Sequence, residues 1–194
     1  MLSIASTYTS KAHETSKKSA ASDAVGHNND AQETISAVRD EDTCALVAVR
    51  VLDHRGEVTS TIKLDNDAAI ELEYNVFEAN MRIEPALHFR NESGEMLFVL
   101  AFTDEAYPQA INQPGRYISR VKIPSNLLNT GIHVLSATLV TADPLERHIS
   151  VDNALAFTVY ETHSDDDQMS ARGRYARDFP GVIRPRLEWQ TTNT

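Results

Sequence analysis

The sequence is poor in the residue types that mark most catalytic and metal-binding proteins. Of 194 residues only Cys44 is a cysteine. A lone thiol closes no intrachain disulfide, so neither a disulfide scaffold nor an oxidising compartment is implied. Cys44 reads as a small apolar residue at the start of the first strand. No His-x-x-x-His or Cys-x-x-Cys pair offers transition-metal spacing. The Gly-x-x-x-x-Gly-Lys-Ser/Thr phosphate loop, the Gly-x-Gly-x-x-Gly fingerprint and the Gly-x-Ser-x-Gly elbow are all missing. No cofactor or metal is expected, and nothing in the motifs points to an enzyme.

Positive charge is also scarce. Eighteen basic residues face 28 acidic ones, a formal net charge of -10. Nucleic-acid binding rests on a basic surface that neutralises phosphates, so that class is disfavoured. No run of about 18 apolar residues is present to span a membrane. The first ten residues lack the apolar stretch of a secretory signal. The expectation is a cytoplasmic protein with no direct membrane insertion.

What is present is strand periodicity. Residues 1–42 are rich in Ser, Thr, Ala, Asp and Asn, with Tyr8 the one aromatic side chain. Such a stretch buries too little to offset the entropy of ordering and reads as a flexible tail or linker. From Cys44 the texture changes. Residues 45–52 form a β-branched run, and Asp53-His54-Arg55-Gly56 is a turn. Residues 59–64 lead to a second turn, Asp65-Asn66-Asp67. Ile70, Leu72, Tyr74 and Val76 then alternate with Glu71, Glu73 and Asn75, a period of two with one buried face.

Residues 83–90 alternate likewise, and Asn91-Glu92-Ser93-Gly94 turns them into the apolar run 95–103. Further strands are expected at 116–123, 132–141 and 155–159, with a loop at 143–152. Eight strands separated by turn clusters predict an all-β, antiparallel β-sandwich of immunoglobulin-like or jelly-roll type. The sandwich is expected over 43–163, followed by a C-terminal extension over 164–194. A sole tryptophan, Trp189, buries too much surface to stay wet. The extension is therefore expected to dock on its own sandwich or on a dimer partner.

Three groups are candidates for chemistry. His88 lies on the polar side of its strand, whereas His133 shares the inward parity of Leu135 and Leu139. Asp165-Asp166-Asp167 reads as a solvated charge run rather than a cation site. Glu71 and Glu73 occupy adjacent outward positions, within reach of the carboxylate spacing of glycosidases. Any strand with one wet face produces such pairs, so they carry no enzymatic expectation.

The order of features resembles the C-terminal domain of Wzt, the nucleotide-binding subunit of ABC transporters that export O-antigen polysaccharides. The resemblance runs over about 43–190. It begins with Val49-Arg50-Val51-Leu52-Asp53-His54-Arg55-Gly56 and Ile70-Glu71-Leu72-Glu73-Tyr74. It continues through Ala86 to Phe89 and Asn91 to Gly94 with Leu97-Phe98, then Ile123-Pro124 with Leu127-Leu128, and Gly131-Ile132-His133-Val134-Leu135. His133 stands where the family usually has tyrosine. Asp152-Asn153-Ala154-Leu155-Ala156-Phe157-Thr158-Val159 resembles the last core strand. Gly181-Val182-Ile183-Arg184-Pro185 with Trp189 is similar to the terminal motif.

The resemblance implies non-catalytic binding of an O-antigen or related surface polysaccharide and its presentation to the exporter. It implies ABC transporter ATPase and permease subunits as partners, a homodimer, and a position at the inner membrane through those partners. The family carries an ATPase domain ahead of this one, and none is read in this sequence, so the expectation is either a separate gene product or a fragment beginning inside the linker. The alternative is an adaptor β-sandwich joining proteins through edge strands and tail. Strand parity gives Glu73, Asn75, His88, Arg90, Ser136 and Thr138 as exposed polar candidates. Those preferred for glycan contact are His88, Arg90, Asp104, Tyr107 and Thr138, with Trp189 as a packing anchor.

Overall fold

A computed structural model describes residues 38–40, 43–101, 113–142, 144–162, 180–185 and 190–192. Nine strands are found among them: β1 Val38–Asp40, β2 Cys44–Leu52, β3 Thr61–Lys63, β4 Ala68–Val76, β5 Glu84–Asn91, β6 Met96–Leu100, β7 Gly115–Ile123, β8 Gly131–Ala142 and β9 Leu145–Tyr160. They form a four-stranded sheet, β1-β2-β4-β7, and a five-stranded sheet, β3-β9-β8-β5-β6. The fold is the all-β sandwich that the alternating strands indicate.

Alternation works because successive side chains leave a strand on opposite faces. On β4, Ile70, Leu72, Tyr74 and Val76 point inward and are buried. On the facing sheet, Leu87, Phe89, Leu135, Leu139, Phe157 and Val159 meet them in one continuous core. Each such side chain contributes about 1.5–3 kcal/mol on full burial. Phe89 stacks on Phe98 across the β5–β6 hairpin at 4.4 Å. Tyr74 stacks on Tyr117 at 5.8 Å, and its hydroxyl shares a 3.1 Å hydrogen bond with Ser119.

The turns follow from their residues. Asp53 Oδ1 accepts the backbone N–H of Arg55 and Glu57, at 2.8 and 2.9 Å, which folds the chain back. Gly56 closes that turn at φ +82°, a conformation that strains any residue with a Cβ. Asn91 Oδ1 plays the same part for Glu95 in the β5–β6 hairpin.

Three departures from the sequence reading stand out. Val38–Asp40 pairs antiparallel with β2, so the sheet starts within the segment read as tail. β9 begins at Leu145, where a loop was expected over 143–152. The run Leu145–Ser150 is mostly charged or polar, so it lacks the apolar alternation that marks a half-buried strand. Finally β3 pairs with β9 in parallel, through Thr61↔Thr158, Ile62↔Val159 and Lys63↔Tyr160. No helix among the described residues is long and apolar enough to cross a membrane.

Near the C-terminus, Ile183 forms a bridge with Leu128. Arg184 N–H donates to the Leu127 carbonyl at 2.8 Å, and the Asn129 side-chain amide donates to the Gly181 carbonyl at 2.7 Å. Arg184 then meets Glu161 at 3.3 Å, with both side chains almost fully withdrawn from solvent. Residues 180–185 are thus seated on the sandwich of their own chain.

Candidate functional site

The outer face of the five-stranded sheet carries most of the polar residues singled out above. β5 sends Leu87 and Phe89 into the core, so His88 and Arg90 emerge on the other side. Across the sheet His88 lies opposite Ser136 and Val99, and Arg90 opposite Val134 and Met96. His88 and Arg90 are both half-buried, whereas Met96 and Val99 are exposed. Two planar polar groups are therefore set beside accessible apolar surface on a rigid sheet.

A bulge fixes the arginine. The β8–β9 register jumps between Leu135↔Leu155 and Ala137↔Val151, so Ser136 faces Asp152, Asn153 and Ala154. Asn153 adopts φ +51°, which asparagine tolerates better than most residues. Its N–H donates to Ser136 Oγ at 3.2 Å, and Arg90 Nη1 donates to the same oxygen at 2.8 Å. A hydroxyl oxygen can accept both, so Ser136 tethers the guanidinium at the bulge.

Of the residues expected to touch a ligand, His88, Arg90 and Thr138 share this face. The expected exposure of Ser136 and Thr138 is not found: they are 3% and 6% exposed. Both have outward parity, but Ser136 sits beneath Arg90. Thr138 is a short side chain between Ala86 and Ser150, with its hydroxyl directed to the Ala86 carbonyl at 3.4 Å. Asp104, Tyr107, Asp165 to Asp167 and Trp189 lie outside the described residues. Glu73 and Asn75 belong to the opposite sheet, and Glu73 is buried rather than exposed.

On that opposite sheet Glu71 and Glu73 are taken up by arginines. Arg50 reaches both, Nη1 to Glu71 and Nη2 to Glu73, each at 2.9 Å. From β7, Arg120 meets Glu71 at 2.7 Å and Arg116 meets Glu73. Burial works against ionisation of Glu73, but hydrogen bonds and charge from Arg50 and Arg116 outweigh it, and its pKa falls below the ordinary value. A carboxylate held ionised is in the wrong state to act as a general acid.

No protein-family model matches the chain, and no curated protein matches it in sequence. Among solved structures, the crystal structure of the C-terminal domain of Wzt superposes with a TM-score of 0.62. The match covers 81% of this chain and 90% of that one, at 10% identity. The chain shares the fold of the Wzt C-terminal domain. A CARDB domain from Pyrococcus furiosus, crystallised with di-metal ions, also aligns at 8% identity, covering 63% of this chain and 98% of that one. Its TM-score of 0.35 is too low to bear on the fold. Among the described residues no group of three or more His, Cys, Asp or Glu could hold a metal ion.

Within this Wzt-like sandwich two buried ionisable groups escaped the sequence reading or gain detail from the structure. Glu84 opens β5 with no exposed surface, and burial raises its pKa, partly offset by Arg82 at 2.5 Å. Nothing in the sequence distinguishes Glu84 from an ordinary strand-edge glutamate. His133 lies inside, stacked on Phe157 at 5.5 Å, with Nε2 2.9 Å from the Asn129 carbonyl. A carbonyl only accepts, so Nε2 bears the proton. Burial lowers the pKa of this imidazole and keeps it neutral. Strand parity makes Ser136 an exposed polar candidate, but it is buried under Arg90. The Asp152-Asn153 pair beside it was a legible turn signal for the bulge that makes it a tether instead.

Proposed function

We propose that this chain is a non-catalytic glycan-binding domain whose ligand lies on the outer face of the five-stranded sheet. The observation that carries the reading is the placing of His88 and Arg90 together on that face, beside exposed Met96 and Val99. Sugars present hydroxyls to planar polar groups and C–H faces to apolar ones, so both halves of the surface are used. Tethering of Arg90 by Ser136 lowers the ordering cost of binding. The fold shared with the Wzt C-terminal domain supports an O-antigen-like polysaccharide as ligand and an ABC exporter as the machinery it is presented to. In this reading the protein works in the cytoplasm, at the inner membrane through its partners, as a homodimer.

Calorimetry with the delipidated surface polysaccharide of the source organism tests this. Arg90→Ala and His88→Ala are each expected to weaken binding by about tenfold or more, roughly 1.4 kcal/mol, with unchanged circular dichroism. Absence of binding by the folded wild-type protein, or wild-type affinity in both variants, would sink the reading. One observation favours an adaptor as the second reading. β7 ends its sheet, has no further strand partner among the described residues, and exposes Ile118. Sheet edges of this kind recruit extended segments of other proteins. Protein capture that is lost on Ile118→Lys, without polysaccharide binding, would favour it.

A further inference from the structure

At the β3 edge of the same sheet the surface is concave. The turn after β2, strand β3, the turn after it and Tyr160 enclose an open depression of about 230 Å³. That is smaller than the roughly 300–1,000 Å³ of a drug-sized pocket, and suits a ligand of one sugar ring. Four charged side chains line it, two of each sign: Asp53, Asp67, Arg55 and Lys63. Each is already paired, Arg55 with Asp53 at 3.2 Å, Lys63 with Asp65 at 3.0 Å and Asp67 with Lys122 at 2.6 Å. The lining charges balance and each cation is already neutralised by a carboxylate, so an entering carboxylate or phosphate gains little net attraction and is repelled by Asp53 and Asp67. A neutral hydroxyl meets no such repulsion, and carboxylates and cationic nitrogens engaged in one bond keep capacity for others.

The uncharged groups fit the same ligand. Asn66 Nδ2 lies 3.3 Å from His54 Nδ1. An amide nitrogen donates, so in the neutral ring Nε2 carries the proton and is a donor for a ligand oxygen. Asn66 keeps its amide oxygen as an acceptor. Tyr160 is 42% exposed and offers a ring face with a polar tip. In register, Thr61 and Lys63 flank Thr158 and Tyr160, and the outward row continues through Ile132 and Val134 to Arg90.

We propose that this depression is a subsite for a single neutral hexose unit, at the β3 end of the face that carries His88 and Arg90. The proposal rests on the glycan-binding reading for its place in a longer ligand, but its own chemistry comes from the pocket. The test is amide chemical-shift mapping on the full chain with D-glucose, D-galactose, D-mannose and N-acetyl-D-glucosamine, with D-glucuronate and glucose 6-phosphate as charged comparators. At least one neutral sugar is expected to shift the amides of Thr61, Lys63, Asn66 and Tyr160. The charged sugars are expected to bind at least about tenfold more weakly. Tyr160→Ala and Asn66→Ala are expected to weaken the neutral sugar about tenfold with the rest of the spectrum intact. No shift with any neutral sugar, or tighter binding of a charged one, overturns the subsite. Repeating the titration in Arg90→Ala separates the two readings. Hexose shifts without polysaccharide binding keep the subsite and remove the sheet-face reading; polysaccharide binding through Arg90 without hexose shifts removes the subsite alone.

Discussion

Replacing Arg50 by methionine is expected to cost far more than removing either of the other two arginines in its cluster. The reason is position. The Arg50 side chain is 22% exposed and spans two carboxylates that are 8% and 3% exposed, whereas Arg116 and Arg120 are 68% and 63% exposed. Hydrogen bonds to charged groups contribute roughly 1.5–3 kcal/mol each, and Arg50 makes two. Leaving a buried charge without its partner costs about 3–5 kcal/mol. Here the outer arginines still serve both carboxylates, and Arg50 keeps some contact with water. The two effects bring the expected loss for Arg50→Met to about 2–4 kcal/mol. Arg116→Ala and Arg120→Ala, as exposed pairs, are each expected to cost no more than about 1 kcal/mol.

Urea unfolding at pH 7 measures these differences as midpoint shifts at constant slope. For a chain of this size the Arg50→Met loss corresponds to a fall in Tm of about 4–16 °C. The pH dependence adds a second check. The folded-state pKa of Glu73 lies below the ordinary 4.5. Its ion pairs therefore stabilise the fold fully above that value and are lost as pH falls through the depressed one. The gap between wild type and Arg50→Met is expected to narrow below pH 4.5. A loss at pH 7 no larger than that of Arg116→Ala, or a gap that does not narrow in acid, would refute this account.

Two further outcomes follow from buried polar contacts. The pKa of His133 lies below its ordinary 6.5, so the unfolded chain takes up its proton first and stability drains away as pH falls from 6.5 toward the folded value. As pH falls below 6.5 the wild type is expected to lose up to about 1.4 kcal/mol per pH unit relative to His133→Phe, read from denaturation midpoints; parallel pH profiles would contradict it. Asn129→Ala removes the bonds to the Gly181 carbonyl and from the Thr130 N–H. About 1–2 kcal/mol of stability should go with them, and hydrogen exchange at the Arg184 amide should accelerate. Unchanged protection there would show that residues 180–185 are held by other contacts.

How far the sequence revealed all this depends on what each element buries. β4 and β5 present one apolar and one polar face, so the inward or outward parity of Tyr74, Glu73, Phe89 and His88 could be read directly, and their limits to within one or two residues. β9 could be read only where it enters the core, at Leu155, Phe157 and Val159. Its first half, around Glu146 and Arg147, is held by backbone pairing with β8, which leaves no side-chain period to detect. Parity also places a residue on a face without saying whether neighbours cover it. Glu71, Glu73, Ser136 and Thr138 all face outward, yet each is covered. The depression beside Tyr160 was invisible for another reason. It joins two turns and a strand end that are distant in sequence, and only the parallel β3–β9 pairing brings them together.

That parallel pairing also says something about assembly in time. β8 and β9 are joined by a short turn and pair along most of their length, so they can zip up early at little loop-closure cost. β3 and the end of β9 are far apart in the chain and share only three register pairs. Such distant contacts form late and open first. The polar depression is thus expected to be the last part of the sandwich completed and the first released, and a ligand bound there would act as a clasp on the β3 edge.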